Sequence, residues 1–421
     1  YEHFSSYLMI KIINICTSNS GGAGNAVLRI NEVLNTFSDS HVISLAGESK
    51  NKSLVLNNFY FFRLKIYRYL KHLFYQKLSK KFNRKYNFYN YNEENNYLKT
   101  SKLLSCFPFQ PDILIIHYSS HFINFKTIYE IQKETNCKVI FNIVDTSFMT
   151  GGCHWSWDCD GYTNNCSNCP AIKLEKFKNL AQKNFFQKEI FLKLINFDVN
   201  VSSSFALKQI LKSKLFNHKN PSFIFYPIDQ NFFKPQSKSF KKNTKSILFG
   251  TQDLRNPSKG VIYFSNAINF FWNNIDDDQR KSIRINIAGR KANLPINKGI
   301  NLNFLGQLSI HDLIVEYSKS DVFVCSSVED NGPMMVNESL MCGTPVVCFN
   351  TGIGSDLINK NTGYLAKNMS SEDLAYGIKK VLFDSKNKNL KQKARKYALD
   401  NYSNKIIKNK WKELIKNLIL D

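Results

Sequence analysis

The sequence predicts an α/β fold in two domains, each built on a parallel sheet. Short apolar runs alternate with helix-patterned stretches along most of the chain, as expected of strands covered on both faces by crossover helices. The alternation pauses near Tyr226-Pro227-Ile228-Asp229, ahead of a polar stretch at 235–245, and then resumes. The length, 421 residues, exceeds what a single core usually serves.

The first strand is expected over Leu8 to Cys16. The polar turn Thr17 to Gly24, with Gly21-Gly22-Ala23-Gly24, and an amphipathic helix to about Phe37 follow it. A strand, glycine turn and helix start in series favour an anion, although this turn lacks the spacing of a dinucleotide fingerprint. Strands over Val42–Leu45, Ile113–Ile116, Val139–Ile143 and Asp198–Ser202 complete a first domain, 1–228. A second domain, 229–395, carries strands over Ile247–Phe249, Ile285–Ala288, Leu302–Phe304, Val322–Cys325 and Val346–Phe349. Leu390 to Leu420 reads as helix, and 396–421 is set apart as a terminal segment.

The most informative segment runs from Ser326 through Asp330, Pro333 and Glu338 to Gly343-Thr344-Pro345. Pro333 suits the first position of a helix and Gly343 the left-handed position just after it. The helix then spans about Pro333 to Cys342, with free N–H groups at its start. Asp330 precedes that start and Glu338 lies inside the helix. A carboxylate accepts two hydrogen bonds at once, so Glu338 could hold both hydroxyls of a diol. The plain alternative is a solvated helix glutamate beside Asn337 and Ser339. Lys259-Gly260, after the strand ending at Gly250-Thr251, supplies a cation for an anionic group, or a solvated lysine at a helix start.

These residues resemble the E-x7-E region of glycosyltransferase family 4, which reads roughly S-x-E-D-N-x-P-x-x-x-x-E-A-x-x-C-G-T-P-V-V. Asp330 stands where the first glutamate of the motif is usual, with Glu329 beside it. The resemblance implies a GT-B fold, two Rossmann-like domains facing a central cleft, and a C-terminal helix that packs back toward the first domain. It implies retaining transfer from a nucleotide-diphospho-sugar to a saccharide or lipid-linked saccharide, with no catalytic metal. Glu338 would bind the ribose, Asp330 would contact the donor sugar, and backbone near Pro333, Met334 and Met335 would face the diphosphate. Lys259 and Arg255 resemble an R-x4-K-G element, although Arg255 stands four residues before Lys259 instead of five. Gly22 and Gly24 fall in a stretch that resembles the family's S-x-G-G-A-G-x-A pattern, whose loop lines the cleft near the acceptor and the diphosphate. Leu305-Gly306-Gln307-Leu308 resembles a segment that packs on the base. Gly352-Ile353-Gly354-Ser355 and Thr362-Gly363-Tyr364 resemble later glycine turns. Asp112 to His117 resembles a D-x-x-x-x-H element. Val144 stands where related chains carry a histidine, so Asp145, His154 or His117 would have to serve. A catalytically impaired, nucleotide-sugar-binding chain is the alternative that Val144 and Asp330 suggest.

Cys153, Cys159, Cys166 and Cys169 follow a C-x5-C-x6-C-x2-C spacing. Four thiolates so placed could enclose a structural Zn²⁺. Disulfides and free thiols are the other readings. Thr150-Gly151-Gly152-Cys153-His154 and Asn168-Cys169-Pro170 resemble an insert of a family 4 subgroup that builds surface polysaccharides of the colanic-acid type. The remaining six cysteines, such as Cys16, Cys325 and Cys348, sit in apolar surroundings and read as reduced residues of a cytoplasmic protein.

The net charge is +24, which points to nucleic acid, membrane or anionic substrates. Asp158 and Asp160 in the cysteine segment speak against nucleic acid. Residues 61–85 hold nine Lys or Arg and no acid among Phe, Tyr and Leu. As a helix this stretch suits an anionic membrane surface, so a peripheral place on the inner membrane face is expected. The alternative is an ordinary solvated helix. No run is long enough to span a bilayer, and no signal peptide is evident. The opening Tyr1-Glu2-His3 lacks methionine, as a fragment edge would. Asp276-Asp277-Asp278 reads as a solvated loop.

Overall fold

The computed structural model describes residues 9–56, 61–66, 69–70, 73, 86, 88–236, 244–385 and 389–420. Tyr1-Glu2-His3, most of the polar stretch 235–245 and most of the basic stretch 61–85 lie outside the described residues. The chain divides into two compact units. One holds residues 1–202, 206–224 and 408–421, and the other 203–205 and 225–407.

The first unit carries a parallel sheet of β1 (Lys11–Ser18), β2 (Asp39–Ala46), β3 (Ser53–Val55), β4 (Ile113–Tyr118), β5 (Lys138–Ile143), β6 (Phe197–Val201) and β7 (Ser222–Phe223), in the order β3-β2-β1-β4-β5-β6-β7. The second carries β8 (Lys245–Asp253), β9 (Ile283–Arg290), β10 (Leu302–Gly306), β11 (Val322–Cys325), β12 (Val346–Phe349) and β13 (Gly363–Ala366), in the order β10-β9-β8-β11-β12-β13. β11 shows why the strands form. Its four residues, Val-Phe-Val-Cys, are all buried, and β-branched and aromatic side chains suit a pleat packed on both faces. The edge strands β3, β7 and β13 are too short to show a period in the sequence, and Gly363, expected at a turn, begins β13.

Other differences are local. The first helix, Gly21–Leu34, starts within the glycines, so Gly22 and Gly24 are helical and not loop residues. A Cβ on Gly24 would meet the Asn19 carbonyl carbon at 2.3 Å, whereas one on Gly22 meets nothing within 4 Å. Asp276 caps helix Asp277–Ser282 through a reciprocal box with Gln279, replacing the expected loop. The terminal helix is two helices, Leu390–Tyr402 and Asn404–Leu420, broken at Ser403. Trp411, in the part that belongs to the first unit, is fully buried.

A polar ladder crosses the centre of the first sheet. Asn14 on β1 donates to Ser40 Oγ (2.9 Å) and to Asn31 Oδ1 (3.2 Å). Asn14 Oδ1 pairs with His117 Nε2 at 3.0 Å, and Asn142 Nδ2 lies 2.9 Å from His117 Nδ1. Asn200 donates to Asn142 Oδ1 at 2.7 Å. Because the Asn142 amide donates to Nδ1, the ring proton belongs on Nε2 and is given to Asn14. His117 is 1% exposed. It is therefore a neutral link between strands with both nitrogens occupied, which corrects its expected catalytic place at a strand end.

Burial pulls the His117 pKa down to about 3. A histidine held neutral in this way adds stability above its unfolded pKa of about 6.5 and loses it as pH falls toward 3. Between about pH 5.5 and 4, where the unfolded histidine is protonated and the folded one is not, His117 should cost about 1.4 kcal/mol of stability per pH unit. Urea unfolding at stepped pH checks this: the wild-type slope should exceed that of His117→Gln, and equal slopes would refute it.

Candidate donor site on the second sheet and polar cluster on the first

In the second unit, β8 and β11 are hydrogen-bonded neighbours, so the segments that leave them meet. Asn256 caps the turn Pro257–Lys259, and Gly260 follows in the left-handed region at φ 62°. Val328 N–H donates to Ser258 O at 2.8 Å, and the Ser326 hydroxyl donates to Lys259 O at 2.9 Å. A Cβ on Gly260 would meet Ser326 O at 1.9 Å, so only glycine lets the two backbones approach. This lacing delivers Lys259 Nζ to Asp330 Oδ2, where they form a short ion pair. Burial works against the Lys259 ammonium, but Asp330 more than offsets it, and the lysine pKa is raised above its ordinary value. The other oxygen of Asp330 accepts from Gly332 N–H at 3.1 Å.

Pro333 occupies the cap of helix Met334–Met341 and not its first turn, with ψ 103°. Gly343 takes the left-handed stop at φ 79° as expected. Met334 and Met335 open the helix half-buried, and the Met335 methyl lies 2.7 Å from where a Cβ on Gly250 would stand. Glu338 is 5% exposed, and its Oε2 accepts from Tyr317 O–H at 3.0 Å. That excludes the solvated reading, since a carboxylate this buried must be hydrogen-bonded. The neighbouring Asn331 and Asn337 are wholly buried.

Arg255 does not join this group. It grips Asp253 through Nε at 2.9 Å and Nη2 at 2.7 Å, and is largely exposed. The Arg255 hydrogen bonds hold the Asp253 carboxyl well below the usual range. Leu308 sits half-buried just beyond β10. A cavity of about 510 Å³ lies around the β9–β10 connection, lined by residues including Lys291, Leu294 and Phe304, and by neither Lys259 nor Asp330.

In the first unit, Asp145 follows β5 and caps the turn Thr146–Phe148, accepting from Ser147 N–H at 2.7 Å. Its Oδ2 lies 2.8 Å from His154 Nδ1. Burial would raise the Asp145 pKa, but His154 and the bonds to Ser147 outweigh it and hold the carboxyl low. Val144, beside it, is half-buried. Asp145 and His154 stand nine residues apart in the sequence as separate candidates, and the fold pairs them.

Cys153, Cys159, Cys166 and Cys169 line one small cavity of about 20 Å³. Gly151 N–H donates to Cys166 Sγ at 3.2 Å and Gly161 N–H to Cys159 Sγ at 3.4 Å. A hydrogen bond between Cys153 and Cys169 raises the first thiol's pKa and lowers the second's. Among the described residues, no group of three or more His, Cys, Asp or Glu is arranged to hold a metal ion. The four cysteines stand as neighbouring free thiols around that cavity. A buried set that spacing did not reveal supports the segment. Lys188 donates to Thr150 O at 2.9 Å and pairs with Glu93 at 3.5 Å, and Asn184 donates to Gly151 O at 3.0 Å.

Gly260→Ala should cost about 2–3 kcal/mol, combining a left-handed backbone with the clash on Ser326. Denaturant unfolding measures this, and a loss under about 0.5 kcal/mol would refute the close-approach argument.

Residues 232–398 match the family described as Glycosyl transferases group 1. No curated protein sequence matches the chain. Among solved structures, a glycosyltransferase from Rickettsia africae ESF-5 is similar, at 16% identity and TM-score 0.65, covering 98% of this chain and 99% of that one. Anabaena Alr3699/HepE, solved in complex with UDP-glucose, is similar at 13% identity and TM-score 0.63, covering 97% of this chain and all of that one (100%). A sucrose-phosphate synthase from Thermosynechococcus elongatus is similar at 13% identity and TM-score 0.62, with 97% and 99% covered. Residues 232–398 thus resemble the group 1 glycosyl transferases, and the chain as a whole has the GT-B α/β fold.

Proposed function

We propose that this chain is a retaining glycosyltransferase that takes a sugar from a nucleotide-diphospho-sugar, in surface polysaccharide synthesis. The acceptor is a saccharide or a lipid-linked saccharide. The observation that carries the reading is the Lys259–Asp330 pair beside the start of helix Met334–Met341, with the buried Glu338 on that helix. Anabaena Alr3699/HepE, which shares the fold, was solved with UDP-glucose, and a donor of that class suits these groups.

The chemistry follows from charge. As the bond from the sugar's anomeric carbon to the diphosphate breaks, negative charge grows on the leaving oxygen. Lys259 stays protonated at neutral pH because Asp330 raises its pKa, and it offers that charge a cation. Free N–H groups at the helix start, near Pro333, Met334 and Met335, add donors without reorganising. The acceptor hydroxyl attacks the same face, and its proton passes to the departing phosphate oxygen. Asp330 holds Lys259 and contacts the donor sugar. Tyr317 orients Glu338 to accept from the two ribose hydroxyls. Gly22 and Gly24 line the phosphates, Leu308 packs on the base, and Asp145, steadied by His154, serves the acceptor side. Arg255 assists only after leaving Asp253.

A second reading keeps donor binding without turnover, favoured by Val144 in place of a hydrogen-bonding residue. A screen with UDP-, GDP- and ADP-sugars separates the two: binding without product supports the second. Under the first, Lys259→Ala should lower kcat by about 10²–10³ with a smaller change in KM. Glu338→Gln should weaken nucleotide binding by about tenfold in calorimetry while keeping side-chain volume. Unchanged affinity would remove Glu338 from the site.

A further inference from the structure

The crossover from β9 to β10 is built unlike the others of the second sheet. Helices fill the connections β8–β9, β10–β11, β11–β12 and β12–β13, whereas residues 291–301 run from β9 to β10 as coil and turn. A parallel crossover usually carries a helix that covers the sheet, so here one face of the edge strand β10 lies under a thin cover. The side chains say which face. Asn303 donates to Asn286 Oδ1 at 3.0 Å, and Asn286 to Glu316 Oε2 on helix Ile310–Lys319 at 3.2 Å. Leu302 and Phe304, which alternate with Asn303, therefore point to the opposite face. That is the face of helix Val261–Asn273, because Phe304 is level with Ile287, Ile287 with Phe249, and Phe249 stacks on Phe264 of that helix. Asn269 on the same helix holds the coil, donating to Pro295 O at 3.2 Å and accepting from Asn297 N–H at 2.9 Å. The cover is thus pinned, and the cavity of about 510 Å³ lies between it and β10.

We infer that this cavity is a binding site for a small amphipathic anion, whose apolar body packs between the coil and β10 while its anionic group meets Lys291. Size, walls and charge select that class. The volume falls in the range of about 300–1,000 Å³ usual for small-molecule sites. Leu294, Ile296, Ile300, Leu302 and Phe304 supply apolar walls, which gain nothing from a hydrated sugar. Lys291 Nζ stands 5.2 Å from the centre of the Phe304 ring, a cation over an aromatic floor. Among the described lining residues, Lys291 is the one charged group, so an anion meets no opposing carboxylate there. The candidate donor site is elsewhere. Lys259, Asp330 and Glu338 do not line the cavity, and they gather where the chain leaves β8 and β11, not on the flank of β10.

Nothing in this site depends on which sugar is transferred, or on transfer at all. Anilinonaphthalene sulfonate, an aromatic anion whose fluorescence rises in apolar surroundings, is the probe, with uncharged phenylnaphthylamine as its neutral counterpart. Titrating each into the full chain should give saturable binding. Lys291 is exposed, so its replacement leaves the fold intact. Lys291→Gln should weaken the sulfonate by about tenfold and change the neutral probe by less than about twofold. Leu302→Ser, on the apolar wall, should weaken both by about tenfold. Tyr376→Ser, at an exposed aromatic residue of the second unit, should alter neither. UDP, GDP or ADP in excess should leave the sulfonate bound, which keeps this test separate from that of the donor site. Sulfonate affinity unmoved by Lys291→Gln, neutral-probe affinity unmoved by Leu302→Ser, or displacement by a nucleotide would each overturn the inference.

Discussion

Parallel pairing of β8, β11 and β12 governs the second unit. Parallel strands end at one edge, so the segments that leave them are forced together there. The turn Pro257–Lys259 leaves β8 and the loop holding Asp330 leaves β11. Side by side in the sheet, they bring a cation and an anion into contact across 71 residues of chain. The segment after β12 adds a third wall, because Gly352 lies against the Asp330 carbonyl. The meeting of these segments follows from strand order, and Lys259 and Asp330 then supply its charges.

Legibility in the sequence tracked burial and locality. Ile113–Ile116 could be read because a strand buried on both faces is continuously apolar. β3, β7 and β13 could not, since two to four residues at a sheet edge leave no period to detect. Gly343 was readable because a helix stop needs a left-handed residue, while Pro333 slipped by one place because the cap and first turn both tolerate proline. In the candidate site, Lys259, Asp330 and Glu338 were legible as residue types in a motif. Their partners were not: neither the Tyr317 hydroxyl on Glu338 nor the Arg255 clasp on Asp253 leaves a mark in a linear pattern.

The first unit shows the same limit from another side. His117 drew attention as a lone histidine near a strand end, yet the fold encloses it between two asparagine amides. His154 looked like part of a cysteine pattern, yet its ring fixes Asp145. Cysteine spacing marks the four residues as a group, and the fold gathers all four around one small cavity. A buried lysine and glutamate, Lys188 and Glu93, hold the cysteine segment from beneath, and neither residue type announces burial.

The ladder from Ser40 through Asn14, His117 and Asn142 to Asn200 acts as a register check. Each rung finds its partner only when neighbouring strands are aligned as they are. A slip of one residue would turn every rung to the other face and leave several buried polar groups unpaired. An all-apolar sheet would forgive that error, because one buried isoleucine packs much like another. The polar rungs make misaligned sheets expensive, so they select one strand alignment at the stage when the sheet assembles, well before any ligand arrives.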